Sequence, residues 1–289
     1  MIGVFDSGHG GLTVLSQLTA RLPQQQFVYL GDHAHAPYGR RAPEEIYGLT
    51  LAAVERLFLQ GCRLVLLACN TASAVALRRM QQDWLPANAP NHRVLGCFVP
   101  MVEALTAVSW RDGLPVPGRR AEDGLVAVFA TQRTVASGAY PLEVSLRAPR
   151  LRVVSQACRN LVAAIEGQEP AARLREMVSG YVAELMAATG GEAPTAAVLG
   201  CTHYPLVADC FAAALPATTR LLDQPRIVAE SLADYLDRHG RFAGVPSERG
   251  GARFLTSGDP EQASIFASRF FGAPVRFEGI ADQELPAPR

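Results

Sequence analysis

An unbroken apolar run that ends on a cysteine constrains this chain more than any other feature. Leu64-Val65-Leu66-Leu67 leads straight into Ala68-Cys69-Asn70-Thr71, and an alanine-rich helical pattern follows. A run that is apolar at every position suits a strand covered on both faces, as in a parallel sheet. Cys69 then falls at the strand's carboxyl end, where open α/β sheets collect their ligands. The same pattern returns 132 residues later as Ala196-Ala197-Val198-Leu199-Gly200-Cys201-Thr202-His203. A second pair, Ile2-Gly3-Val4-Phe5-Asp6-Ser7 and Val126-Ala127-Val128-Phe129-Ala130-Thr131, recurs at an offset of 124 residues in the same order. Two correspondences at similar spacing imply two halves of like construction. The expected fold is α/β: two pseudo-symmetric domains, each a parallel-rich sheet flanked by helices, with the active site in the cleft between them. Residues 1–98 with 208–289 are expected to build the first domain and 99–207 the second, with residues 112–123 as a surface loop. Two thiols then enter one cleft from opposite sides.

Composition narrows the function. With 289 residues the chain has material for two ordinary cores. Its 27 basic and 27 acidic residues cancel, so there is no electrostatic footprint for nucleic acid or an anionic membrane. No apolar run approaches membrane-spanning length, and residues 1–5 lack a basic signal-peptide start, so a cytoplasmic protein is expected. Six cysteines lie scattered without a CxxC pair, which favours reduced thiols. Every basic residue counted is arginine; a chain without lysine has no amine for a pyridoxal Schiff base.

The candidate site residues follow from placement. Asp6-Ser7-Gly8-His9-Gly10-Gly11 joins the first strand to a helix, and such a glycine loop alone is weak evidence of a ligand site. Asp32 ends a second strand, before a loop containing Pro37-Tyr38-Gly39. His33 and His35 between them have no further ligand at metal-site spacing, so no metal is expected. Thr131 and Thr134 occupy in the second half the place that Asp6-Ser7 has in the first. Glu166 closes an apolar helical run, and since Glu is mostly an exposed residue, the sequence alone favours a surface carboxylate there. Cys97 reads as a small core residue, and residues 240–289 as peripheral. Both Cys69 and Cys201 are expected where a helix begins, which lowers a thiol pKa. Both precede paired hydrogen-bonding residues, Asn70-Thr71 and Thr202-His203.

Thiols on opposite faces of one small substrate suit a reaction in which one removes a proton from carbon and the other returns one from the far side. Ser7, Asn70, Thr71 and Thr202 are donors able to hold a carboxylate and the enolate-like charge that develops.

Together, Phe5-Asp6-Ser7-Gly8-His9-Gly10-Gly11-Leu12, Gly31-Asp32 with Pro37-Tyr38-Gly39, Ala68-Cys69-Asn70-Thr71 and Gly200-Cys201-Thr202-His203-Tyr204-Pro205 closely resemble the bacterial glutamate racemases. The likeness runs from Ile2 to about Leu236. It implies cofactor-independent, two-base racemisation of glutamate, supplying D-glutamate for peptidoglycan. Cys69 and Cys201 match the acid/base pair, and Asp6, Asp32, Glu166 and His203 the assisting groups. Asp6, Ser7, Pro37, Tyr38, Gly39, Asn70, Thr71, Thr131, Thr134, Thr202 and His203 match substrate contacts. The implied partner is small-molecule glutamate, with a homodimer as the assembly and neither nucleic acid nor membrane. The chain departs from the family pattern at His9, His33 and Arg159. The rival activities are a related racemase for aspartate or another acidic or cyclic amino-acid derivative, a redox or zinc protein built on Cys69, Cys201 and His203, and a non-catalytic binder on the same scaffold.

Overall fold

The computed structural model describes residues 1–111, 113–114, 123–243 and 250–280. Most of the loop expected at 112–123 therefore lies outside the described residues. Among the described residues ten strands form two sheets, and every strand pair there is parallel. They are β1 (Ile2–Asp6), β2 (Gln26–Gly31), β3 (Leu64–Leu67), β4 (Arg93–Gly96), β5 (Gly124–Ala130), β6 (Leu151–Ala157), β7 (Ala196–Gly200), β8 (Arg220–Leu222), β9 (Gly251–Thr256) and β10 (Phe277–Gly279). The first sheet has the order β10-β9-β2-β1-β3-β4 and the second β6-β5-β7-β8. Corresponding strands β1 and β5 each lie between two neighbours, and β3 and β7 each pair directly with them.

The apolar runs behave as their composition demands. All four residues of β3 and all five of β7 are buried, because helices cover both faces of each sheet. Leu12–Arg21 and Gln224–Arg238 pack in a cluster that joins Val4 and Leu66 of the first sheet to Phe129 and Leu199 of the second. The two sheets thus share part of one core. No helix among the described residues is long and apolar enough to cross a membrane.

Three details differ from the sequence-based expectations. The strand expected over 94–99 stops at Gly96, because Phe98 opens a helix, Phe98–Thr106, whose first turn carries Pro100. The chain was expected to return to the first half after about Val207, yet β8 pairs with β7 in the second sheet. Residues beyond 240 are not peripheral as a whole: β9 pairs with β2 along six residues, inside the first sheet.

Candidate active site

The carboxyl ends of β1, β2 and β3 face those of β5, β6 and β7 across a cleft of about 430 Å³. Cys69 and Cys201 both line it, one from each sheet, and each is only 5% exposed. Ser7, Pro37, Tyr38, Gly39, Asn70, Thr71, Thr131, Thr202, His203 and Glu166 also reach its wall. Asp6, Asp32 and Thr134 do not. They stand behind it and hold residues that do.

Asp6 is fully buried, and its Oδ1 accepts the Gly8 amide at 2.9 Å while Oδ2 accepts the Thr202 hydroxyl at 3.2 Å. Burial pushes its carboxyl above the ordinary value, against the pull of His203 and of the Gly11 and Gly8 amides. The Thr13 hydroxyl, from the helix that follows, contacts the Thr202 carbonyl at 3.1 Å. This close approach of the two halves explains the glycine loop. A Cβ on Gly10 would lie 2.2 Å from Thr202 Oγ1 and 2.5 Å from His203 Nδ1.

Cys69 caps the helix Asn70–Arg79, its Sγ accepting the Ala72 amide at 3.5 Å and lying 3.5 Å from Ser7 Oγ. The expectation of a lowered thiol pKa fails. Burial, with the Asp6 carboxylate adding to it, pushes Cys69 up to about 11 despite the amide and hydroxyl bonds. Cys201 also rises well above its ordinary value through burial. No α-helix begins at Cys201 either; a short helical turn, Tyr204–Val207, starts three residues on.

His203 Nδ1 lies 3.9 Å from Cys201 Sγ, and its Nε2 is 2.9 Å from Glu166 Oε1. Glu166 therefore lines the cleft, with part of its side chain still exposed. Burial raises its carboxyl, but the His203 hydrogen bond and the neighbouring imidazoles of His203, His9 and His33 outweigh it and hold the group below its ordinary value. Asp32 acts at one remove. Its Oδ2 accepts the Tyr38 hydroxyl at 2.5 Å, and its Oδ1 takes Ser257 Oγ at 2.5 Å and His35 Nδ1 at 2.8 Å.

Hydroxyls and amides join the halves above the thiols. Thr71 Oγ1 sits 3.1 Å from Thr131 Oγ1 and 3.2 Å from Thr134 Oγ1, which are 3.0 Å from each other. Asn70 and Gln224 exchange two amide hydrogen bonds of 2.8 and 2.9 Å, and Tyr140 donates a longer one to Asn70. Gln224, Tyr140 and Ser257 escaped the sequence reading, because each acts through a partner more than 50 residues away. Replacing Gln224 with Ala leaves both Asn70 amide groups without this partner in a buried setting. Such a loss is expected to cost about 2 kcal/mol in chemical denaturation. Asn70→Ala combined with it should add little more, as the pair acts as a unit.

Two departures lie away from this cleft. His9 and His33, ring centroids 4.2 Å apart, line a second cavity on the far side of Glu166, with Phe270 stacked on His9 at 5.6 Å. Burial lowers both imidazoles, His33 to about 4. Arg159, the third departure, lines the first cleft.

Two parallel sheets with helices on both faces and a cleft between their carboxyl ends place the chain among the α/β amino-acid racemases, a class of isomerases. A glutamate racemase of Paracoccus denitrificans is 50% identical over 278 residues, covering 96% of this chain and 98% of its own. The solved structure of a glutamate racemase isoform from Bacillus anthracis superposes with a TM-score of 0.83 at 28% identity, covering 97% of both chains. A glutamate racemase of Francisella tularensis, solved with D-glutamate, gives 0.81 at 25% identity over 98% of this chain and 97% of its own. No family model matches the chain. On these relationships the chain belongs to the glutamate racemase family.

Proposed function

We propose that this protein interconverts L- and D-glutamate without a cofactor, through proton transfers at Cys69 and Cys201, and that it supplies D-glutamate for peptidoglycan in the cytoplasm. The observation that carries this is the pair of thiols lining one small cleft from opposite sheets. One cysteine, as thiolate, takes the proton from Cα; the other, as thiol, delivers its proton to the opposite face. The substrate carbon inverts, and each thiol ends in the other's starting state. No electron is gained or lost.

The surroundings support distinct tasks. The Ala72 amide and Ser7 hydroxyl lie against Cys69 Sγ, while the Glu166–His203 pair lies against Cys201. Burial raises both thiols first of all, and the charges of Asp6 and Cys69 add to the cost of ionising Cys201, which disfavours two thiolates at once. The hydroxyls of Ser7, Thr71 and Thr131 and the amide of Asn70 are the donors for the two carboxylates, while Thr202, whose hydroxyl is given to Asp6, shapes the wall beside them. Asp32 positions Tyr38, and Thr134 positions Thr71 and Thr131. We take the two lobes to be residues 1–98 with 223–289, and 99–222, a division that keeps β8 with its own sheet.

Circular dichroism of the purified protein with L-glutamate, D-glutamate and L-aspartate, without added cofactor, tests the reading. Both glutamate enantiomers should run to the same optically inactive end point. Turnover of aspartate alone would keep the chemistry and overturn the substrate, and no turnover at all would sink the racemase assignment.

A further inference from the structure

The cleft wall is almost without positive charge. Its inner lining is thiols, hydroxyls, amides and the Glu166–His203 pair, with the buried Asp6 carboxylate behind it. The two guanidinium groups among the lining residues belong to Arg40 and Arg159, and both residues are exposed. They come from opposite halves: Arg40 ends the turn Tyr38–Arg40 that follows β2, and Arg159 follows Cys158 at the end of β6. Neighbouring arginines are occupied. Arg41 pairs with Glu45, and Arg133 donates to the Arg41 carbonyl at 2.8 Å. Arg40 and Arg159, in contrast, have no carboxylate partner among the described residues. Arg40 is tied instead to the neutral Asn160 amide. Asn160, the residue after Arg159, sits at φ 63°, a left-handed turn that asparagine tolerates, and lines the cleft as well.

We propose that Arg159, with Arg40 opposite, is the capture element of the cleft: a pair of unneutralised cations that draws an anionic amino acid past a wall whose fixed charge is otherwise negative. This rests on the glutamate reading above and adds to it the selection of substrate by charge at entry. A chain with no net charge has no overall pull on an anion, so attraction has to come from local charge, and this pair supplies it at the cleft. An exposed cation without a partner is worth little for stability and much for encounter.

The test compares wild type with Arg159→Gln and Arg159→Lys. At roughly 0.01 M salt, where charges act over about 30 Å, Arg159→Gln should lower kcat/KM for both glutamate enantiomers about fivefold with kcat little changed. At 1 M salt, where screening shortens that range to about 3 Å, the variants should converge. Arg159→Lys should stay close to wild type throughout. A second readout needs no turnover: the rate of alkylation of Cys69 and Cys201 by iodoacetate relative to neutral iodoacetamide, followed by peptide mass spectrometry. That ratio should fall severalfold in Arg159→Gln at low salt only. Glutamate turnover with neither quantity sensitive to Arg159, or with an equal loss at both salt concentrations, overturns the capture role. A charge-dependent alkylation ratio in a protein that does not racemise glutamate upholds capture and rejects the substrate instead.

Discussion

Cys69→Ser and Cys201→Ser are each expected to lower racemisation about 10³-fold or more in both directions, with folding intact. Serine nearly preserves volume in two tightly buried positions, so the fold should tolerate it. Its hydroxyl is far less acidic than a thiol, so it is a poor source or acceptor of the transferred proton. Loss of either group stops both directions, since the acid of one direction is the base of the other. A second measurement separates the two roles. In deuterated solvent, each variant should still exchange the α-proton of the one enantiomer that its remaining thiol faces, faster than it racemises it. If both variants keep wild-type rates, the two-thiol mechanism is wrong. The raised thiol pKa adds a sign to this picture. With Cys69 near 11, the thiolate fraction in the free enzyme grows about tenfold per pH unit below that value. Wild-type kcat/KM should therefore climb with pH from neutrality upward. The ammonium group of an amino acid arriving in the cleft offsets the desolvation cost of that thiolate, so kcat should vary less.

Gly10→Ala is expected to damage the junction between the two halves with a single methyl group. Gly10 is not among the glycines with positive φ, so alanine meets no conformational penalty there. The penalty is contact: 2.2 Å to Thr202 Oγ1 and 2.5 Å to His203 Nδ1. Thr202 is bonded to Asp6 in a buried hydrogen bond and His203 to Glu166 in a partly buried one, so neither can yield without breaking one of them. A stability loss of about 1–3 kcal/mol is expected from overpacking, with activity down about 10²-fold from displaced groups. Gly48→Ala is the matched control. Gly48 lies within the helix Pro43–Leu59, and nothing stands within 4 Å of its added Cβ. There the substitution should stabilise by about 0.5–1 kcal/mol and leave turnover alone. Denaturation midpoints and racemisation rates of the pair, measured side by side, decide the matter. A fully active, fully stable Gly10→Ala would show that the two halves do not close as tightly as described.

Much of this site was legible because the chemistry sits in short strings. A four-residue apolar run ending in Ala68-Cys69-Asn70-Thr71 names strand, turn and helix start at once, and its recurrence at Cys201 names the second half. Glu166 was less so: its exposure depends on His203, 37 residues further on, and on the helix that turns it inward. The thiol pKa values ran opposite to expectation because a helix start can be read locally, whereas burial belongs to the whole fold. β9 escaped altogether. Gly251-Ala252-Arg253-Phe254-Leu255-Thr256 has an arginine at its centre and a glycine at its start, a weak strand on propensity. It is a strand because β2 offers it a free edge, and its end delivers Thr256 and Ser257 to His33 and Asp32.

That late delivery bears on how the protein is born. Synthesis runs from the amino towards the carboxyl end, so β1, β2 and β3 leave the ribosome before Ser257 has been added. Until then β2 is an uncovered edge, open to association with another nascent chain or to a chaperone. The Asp32 carboxylate likewise waits, with Tyr38 bound but Ser257 missing. A chain ending before β9 would carry both thiols and the residues around them, yet keep an open sheet. The strands that cover this edge are thus the last part of the first sheet in chain order, after every residue that lines the cleft.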